Sequence, residues 1–289
     1  MTILVTGANG QLGNEMRIVS QSSAHRYVFA DVVDCPGVDT VKLDITDVDA
    51  VKDAVQEYGV DAIVNCAAYT AVDKAEENIE LCDKLNHIAP GYLAKAAAVR
   101  GAALIQVSTD YVFDGTNHIP YRETEPTCPN SVYGRTKLAG EQEATCFCER
   151  TMIIRTAWLY STFGNNFVKT MIRLGREKEQ LGVIFDQIGT PTYARDLARV
   201  IYAAIAKDVP TGIFHFSNEG VCSWYDFTRA IHRIAGINTC RVYPLHTEEY
   251  PTPAARPHYS VLDKTKIKEI LNIEIPYWED SLRDCMKEL

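Results

Sequence analysis

Short runs rich in apolar and β-branched residues alternate with helical patterns through the first half of the chain, and few folds tolerate that alternation. Thr2–Thr6 (TILVT), Tyr27–Asp31 (YVFAD), Ala62–Asn65 (AIVN), Ala103–Ser108 (ALIQVS) and Met152–Thr156 (MIIRT) read as strands. Gln11–Val19, Val48–Tyr58, Ile79–Val99 and Val132–Thr145 read as the helices between them. A strand, a crossover helix and a second parallel strand form a right-handed unit. Repeating that unit builds a parallel sheet covered on both faces. The spacing predicts an α/β fold with a doubly wound parallel sheet. Beyond Trp158 the alternation loosens. Phe167–Glu179 and Ala194–Lys207 read as amphipathic helices and Ile213–Ser217 as a short strand. In YPTPAARPHYS (Tyr250–Ser260) the prolines at 251, 253 and 257 each remove a donor and forbid a regular element. A chain of 289 residues has room for about two domains. We expect residues 1–158 to form the sheet domain and 159–289 mainly a smaller C-terminal lobe, with about 190–220 returning to the sheet domain.

The first strand runs straight into GANGQLG, which sets Gly7, Gly10 and Gly13 ahead of a helix. Glycines there allow a tight turn, close approach of backbone to phosphate, and close packing of helix on sheet. The helix N-terminus adds free N–H groups and partial positive charge for a pyrophosphate. The motif is weak alone, but its place between an N-terminal strand and a helix supports it. The expected fold is thus Rossmann-type and binds NAD(P), with the C-terminal lobe binding substrate. Asp31 ends the second strand. A carboxylate there accepts hydrogen bonds from an adenosine ribose and repels a 2′-phosphate, which favours NADH slightly over NADPH. Asp44, in KLDIT, is expected near the adenine edge.

Ser108 and Thr109 follow the fourth strand at its carboxyl end, where open α/β sheets bind their ligands. Tyr133 and Lys137 are four apart in a helical stretch and project from one face. Gly134 between them weakens that helix by about 1 kcal/mol. A hydroxyl, a phenol and an ammonium converging on a nicotinamide would suit reduction of a ketone. The developing alkoxide needs a proton and donors aimed at its oxygen. Tyr133 would supply the proton, Lys137 would stabilise the phenolate, and Thr109 would polarise the carbonyl. Trp158, just past a strand's carboxyl end, is placed to stack on a substrate ring. Arg256 could meet a diphosphate with two hydrogen bonds.

Bulk properties exclude several classes. A net charge of −9 and a pI near 5.3 argue against a nucleic-acid surface. No apolar run approaches the ~18 residues of a membrane span. The start, MTILVTGANG, lacks a basic region before its apolar run, so no signal peptide is expected. Nine cysteines and seven histidines show no metal-binding spacing and no Cys-x-x-Cys pair. Reduced thiols and a cytoplasmic location are expected.

Together the Gly-rich turn, the Ser-Thr-Asp segment and Tyr-x-x-x-Lys resemble the extended short-chain dehydrogenase/reductase superfamily. VNCAAYTAVDKAE, STDYVF, NSVYGRTKLAGE, NNFVKTM and YPTPAARPHYS resemble, within it, the dTDP-4-dehydrorhamnose reductase family, almost from end to end. That resemblance implies NADH- or NADPH-dependent reduction of a nucleotide-linked 4-keto sugar, with Thr109, Tyr133 and Lys137 catalytic. It implies that Gly10, Gln11, Leu12, Asp31, Asp44, Ala68 and Tyr69 line the cofactor, together with Tyr133 and Lys137. It implies that Thr70, Thr109, Asp110 and Trp158 face the sugar nucleotide. Asn86 would either complete the superfamily's tetrad through a water or serve the helix structurally. Members that dimerise through a shared magnesium use glutamates. Glu15 matches one such position, but Arg195 stands where another glutamate belongs, so no magnesium site is expected and the chain should be a monomer or weak homodimer. Two related chemistries fit less well. A 4,6-dehydratase needs a second carboxylate after Asp110, where Tyr111 stands, and an epimerase–reductase needs a Cys–His pair, whereas position 110 is Asp. A non-catalytic binding subunit and a reductase of another keto sugar are the alternatives.

Overall fold

The computed structural model describes residues 1–289. The strands are β1 (Thr2–Thr6), β2 (Arg26–Asp31), β3 (Val41–Lys42), β4 (Ala62–Asn65), β5 (Ala103–Thr109) and β6 (Thr151–Thr156). They are followed by β7 (Leu159–Tyr160), β8 (Gln180–Ile184), β9 (Ile188–Gly189), β10 (Thr192–Tyr193), β11 (Gly212–His215), β12 (Cys222–Ser223) and β13 (Arg241–Leu245). Seven of them form one sheet in the order β11-β6-β5-β4-β1-β2-β3, and every pair in it is parallel. Strand order reverses at β1, so the crevice outside the carboxyl ends of β1 and β4 is the switch point at which such sheets bind ligands.

The helices are α1 (Gln11–Ser20), α2 (Val48–Glu57), α3 (Val72–Ala75), α4 (Ile79–Asp83), α5 (Ala89–Arg100), α6 (Val132–Phe147), α7 (Phe167–Glu177), α8 (Ala194–Ala206), α9 (Trp224–Ile234), α10 (Thr265–Leu271) and α11 (Trp278–Lys287). Side chains alternate across a strand, and β1 illustrates the result. Ile3 and Val5 enter a core with Met16 of α1 and Leu197 and Ile201 of α8. Leu4 enters the opposite core, with Val51 of α2 and Leu93 of α5. Burial on both faces is why these strands read as continuous apolar runs. A third core, built on Tyr160, Val168, Phe227, Trp278 and Leu282, holds the C-terminal lobe together. The segment from 194 to 215 supplies α8 and β11 to the sheet and its covering layer. No helix is long and apolar enough to cross a membrane.

One element departs from the sequence expectation. Ile79–Val99 is not a single α-helix, because a π-turn at Lys84–Ile88 separates α4 from α5. Pro90 explains it. Proline has no N–H to give the carbonyl four residues back, and its ring crowds that carbonyl. That carbonyl belongs to Asn86. The neighbouring bond widens instead, with the Ala89 N–H reaching the Lys84 carbonyl. The Asn86 carbonyl lies so close to α6 that a Cβ on Gly140 would sit 2.0 Å from its oxygen.

Candidate active site

The glycines of the first turn leave no room for side chains. A Cβ on Gly7, whose φ is +64°, would lie 2.6 Å from the Ala67 nitrogen. One on Gly13 would lie 2.4 Å from the Gly7 carbonyl oxygen. Gly10 is the N-cap of α1 and carries no capping side chain, so no capping side chain occupies the N–H groups of the first turn. Gly10, Gln11 and Leu12 line a cavity of about 540 Å³ at the switch point, shared with Ala68, Thr70, Thr109, Asp110, Tyr133, Lys137 and Trp158. A larger groove of about 890 Å³ lies between α7 and α11, away from the sheet edge. Several of its basic groups are already paired, Arg173 with Glu177 and Lys287 with Asp284.

Ser131 opens α6, its hydroxyl accepting the Gly134 N–H at 3.1 Å. Gly134 owes its identity to a close approach, since a Cβ there would lie 2.3 Å from the Tyr111 carbonyl oxygen. This contact seats α6 on the turn that follows β5. It brings the Tyr133 ring edge-on to Tyr111, with centroids 5.5 Å apart and planes at 79°. Burial raises the Tyr133 phenol above its ordinary pKa, the Thr109 hydroxyl works in the opposite direction, and the Asp110 charge adds to the rise. Lys137, four residues on, is buried and donates to the Val107 carbonyl at 2.6 Å. Burial lowers its ammonium to about 8, against the pull of Glu141.

Thr109 donates to Asp110 Oδ1 at 3.0 Å and accepts the Tyr111 N–H at 3.2 Å. Asp110 Oδ2 and the Ser108 hydroxyl are buried without partners, so polar capacity is left at the cavity wall. Burial pushes the Asp110 carboxyl up to about 6, with the nearby Ser260 and Thr109 hydroxyls pulling it the other way. A folded-state value above the ordinary 3.8 means that this group favours folding at low pH and loses that contribution as pH rises through about 6. Two units correspond to ~3 kcal/mol. Asp110→Asn keeps the shape and removes the charge. Its melting temperature should exceed that of the unaltered protein at pH 8 and converge with it near pH 4. An offset that ignores pH would refute the assignment.

The remaining expected residues fall into three groups. Ala68 and Thr70 line the cavity, and Tyr69 between them is clamped by Asn86. The Asn86 Oδ1 accepts the Tyr69 N–H at 2.8 Å and its Nδ2 donates to the Tyr69 carbonyl at 3.0 Å. Both ends of the Asn86 amide thus hold the loop, which is the structural role. Asp31 spends its carboxylate on the Asn9 and Val33 N–H groups, and Asp44 on the Thr46 N–H and hydroxyl. Neither lines the cavity. Arg256 makes two hydrogen bonds to Asp73 at 2.9 and 2.7 Å. That pair ties the loop beyond β4 to the proline-rich segment.

Trp158 has a left-handed backbone, φ +49°, which is rare for a bulky residue. Its ring stacks on Trp224 with centroids 3.5 Å apart, and a Cβ on Gly189 would lie 2.7 Å from it. Trp224, at the start of α9, therefore lines the same cavity and went unread in the sequence. The capping box Ser223/Asp226 marks the helix start, but nothing local brings that helix to Trp158. Asn166 was also missed. Its amide donates to the Gln11 side chain at 3.0 Å and joins the C-terminal lobe to the glycine turn.

Glu15 and Arg195 meet in one ion-pair cluster. Glu15 accepts from Ser161 Oγ and Arg195 Nε, both at 2.6 Å. The other two Arg195 nitrogens bond Glu288 at 2.6 and 2.7 Å. Magnesium demands octahedral oxygen ligands at about 2.0–2.1 Å. With a guanidinium between the two carboxylates, the residues present do not fit that ion.

Over residues 1–289 the chain matches the family described as RmlD substrate binding domain. A dTDP-4-dehydrorhamnose reductase from Clostridium acetobutylicum is 45% identical, with a TM-score of 0.93 and 99% of each chain covered. The dTDP-4-dehydrorhamnose reductase of Bacillus anthracis, solved in complex with NADP, is 38% identical, with a TM-score of 0.92 over 100% of this chain and 99% of that one. The dTDP-4-dehydrorhamnose reductase of Escherichia coli K12 is 38% identical, covering 100% of this chain and 98% of its own. A family match along the whole chain, and relatives this similar over their full lengths, mean that the chain belongs to the RmlD substrate binding domain family, that of the dTDP-4-dehydrorhamnose reductases.

Proposed function

We propose that the protein reduces the 4-keto group of dTDP-4-dehydro-6-deoxy-L-mannose to give dTDP-L-rhamnose, using NADH or NADPH. The observation that carries this reading is the meeting of Thr109, Tyr133 and Lys137 in one cavity with the uncapped start of α1. The cradle fits a dinucleotide: its glycines exclude side chains where a pyrophosphate would approach, and the helix end supplies N–H groups. Gly7, Gly10, Gln11, Leu12 and Gly13 would hold the pyrophosphate side, Asp31 and Asp44 the adenosine side, and Ala68 and Tyr69 the middle. When bound, the nicotinamide supplies hydride to the carbonyl carbon.

Tyr133 gives its proton to the carbonyl oxygen as negative charge gathers there. Thr109 has one hydroxyl proton, which Asp110 now receives, and an entering carbonyl competes for it. Lys137 supplies positive charge behind the phenol and stabilises the phenolate left as the proton departs. Thr70, Asp110 and Trp158 would contact the sugar nucleotide, with Trp224 stiffening Trp158 from behind. The division into a cofactor part (1–158) and a substrate lobe (159–289, with about 190–220 returning) follows the same roles. Purified protein mixed with the 4-keto sugar nucleotide and either reduced cofactor should consume cofactor and sugar in equal amounts. No turnover with either cofactor would overturn the reading in favour of a binding subunit, and turnover only with another keto sugar would move the substrate.

A further inference from the structure

Tyr133, Lys137 and Glu141 follow one another at intervals of four along α6, so one stripe of the helix carries a phenol, an ammonium and a carboxylate. The reduction uses the first two. Glu141 is buried, 3% exposed, and its carboxylate is held by Arg155 of β6. Arg155 Nε bonds Oε1 at 2.9 Å and Oε2 at 3.2 Å, and Nη2 bonds Oε2 at 2.7 Å. Arg155 is itself 2% exposed, with its guanidinium carbon 5.2 Å from the Phe113 ring centre and Nη1 without a partner. A buried ion pair of this kind is weak grounds for stability, since well-packed apolar side chains commonly serve as well. Its position one turn behind Lys137 gives it another use.

We infer that Glu141, fixed by Arg155, is the buried counter-charge that keeps the Lys137 ammonium protonated while the site works. Glu141 is a positioning residue for the reduction. The inference rests on the reading of Lys137 given above. Of the charged groups around this stripe, Arg155 is a cation bonded to Glu141, and Asp110, raised to about 6, is ionised at neutral pH in the same cavity. The remaining titratable neighbours of Lys137 are neutral. Cys82 of α4 and Cys66 beyond β4 are thiols raised by burial, Cys66 to about 12. Tyr133 is a phenol raised in the same way. On the far side of Arg155, burial and then the Arg155 charge push the His215 imidazole down to about 3, so it adds no charge. The Glu141 carboxylate is the main charge opposing the effect of burial on Lys137. Arg155 orients the carboxylate through its three hydrogen bonds.

Two readouts test this, one independent of catalysis. In ligand-free protein with carbon-13 at lysine Cε, the Lys137 signal, identified by its loss in Lys137→Arg, reports the ammonium's titration directly. Glu141→Gln should lower its midpoint by about one pH unit or more. Because Glu141→Gln strands Arg155, the paired variant Glu141→Gln/Arg155→Met is made alongside it and should show the same direction of shift with no buried charge left over. In turnover, the alkaline limb of the rate should move down by the same amount, so that activity falls at least about tenfold more at high than at neutral pH. A purely structural pair would lower activity evenly across pH. An unmoved Lys137 midpoint in both variants overturns the inference whether or not the protein is an active reductase. A shifted midpoint in a chain that never turns over supports the counter-charge and sinks only the catalytic reading of Lys137.

Discussion

Tyr133→Phe should lower kcat by about 10²–10⁴-fold, the range that a positioned proton donor contributes. The substitution is a narrow one. The ring keeps its edge-on contact with Tyr111 and its packing beside Ala75, Cys82 and Val132, so only the hydroxyl is lost. Thr109 and Lys137 keep their partners in the ligand-free protein, Asp110 and Val107. Affinity for the reduced cofactor, followed by fluorescence, should therefore stay within about threefold, a difference of under 1 kcal/mol. The phenol sits well above its ordinary pKa through burial. It is thus fully protonated at neutral pH and ready to donate, but reluctant to leave as phenolate. Nearby positive charge is what makes the departure feasible. A Tyr133→Phe protein that turns over like the unaltered one would transfer the donor role elsewhere, with Asp110 the first candidate because it is buried, raised to about 6 and bonded to Thr109.

How much of this was legible in the sequence depends on how local each signal is. Strands β1, β2, β4, β5 and β6 and the helices between them announce themselves because each buries both faces or one stripe, and burial writes periodicity into neighbouring residues, whereas the two-residue β3 leaves no such pattern. The cavity's first wall was legible for the same reason: Gly7, Gly10 and Gly13 lie in one turn, and Tyr133 and Lys137 on one helix. What escaped was long-range. Trp224 reaches Trp158 only after the C-terminal lobe folds back, and no short window records that contact. Arg256 offers a charge but not its partner, Asp73, which lies 183 residues away in the chain. The break in the long helix was written at Pro90 and could have been read there, since a proline inside a helical pattern must free a carbonyl. Gly134 reads in the sequence as a weak point of α6, and Gly140 stands in the same helix. They are contact points, against the Tyr111 and Asn86 carbonyls respectively, and together they fix the height at which Tyr133 and Lys137 stand.

Arg195→Met should cost about 3–5 kcal/mol of folding stability, the usual loss when one partner of a buried ion pair is removed. Against a typical total of about 5–15 kcal/mol that is a large share, and urea unfolding should register it as an early midpoint. Glu15 makes the cost high. Its side chain is fully buried, and without Arg195 the carboxylate would keep only the Ser161 hydroxyl. Glu288 contributes little, being half exposed and free to turn to water. Its carboxyl is nonetheless held below the usual range, chiefly by the hydrogen bonds from Arg195. A folded-state value below the unfolded one means that this small contribution is present at neutral pH and fades as the pH falls through that lowered value. The pairing variant Glu15→Gln/Arg195→Met removes both buried charges and should recover most of the loss, which separates an electrostatic penalty from poor packing. The same geometry predicts indifference to divalent ions. The guanidinium already bridges the carboxylates of Glu15 and Glu288, so sedimentation mass and melting temperature should be equal in EDTA and in excess magnesium. A mass that rises with magnesium and falls with EDTA would mean that Arg195 swings aside for the ion, and that the clamp seen between Glu15 and Glu288 is only one of its positions.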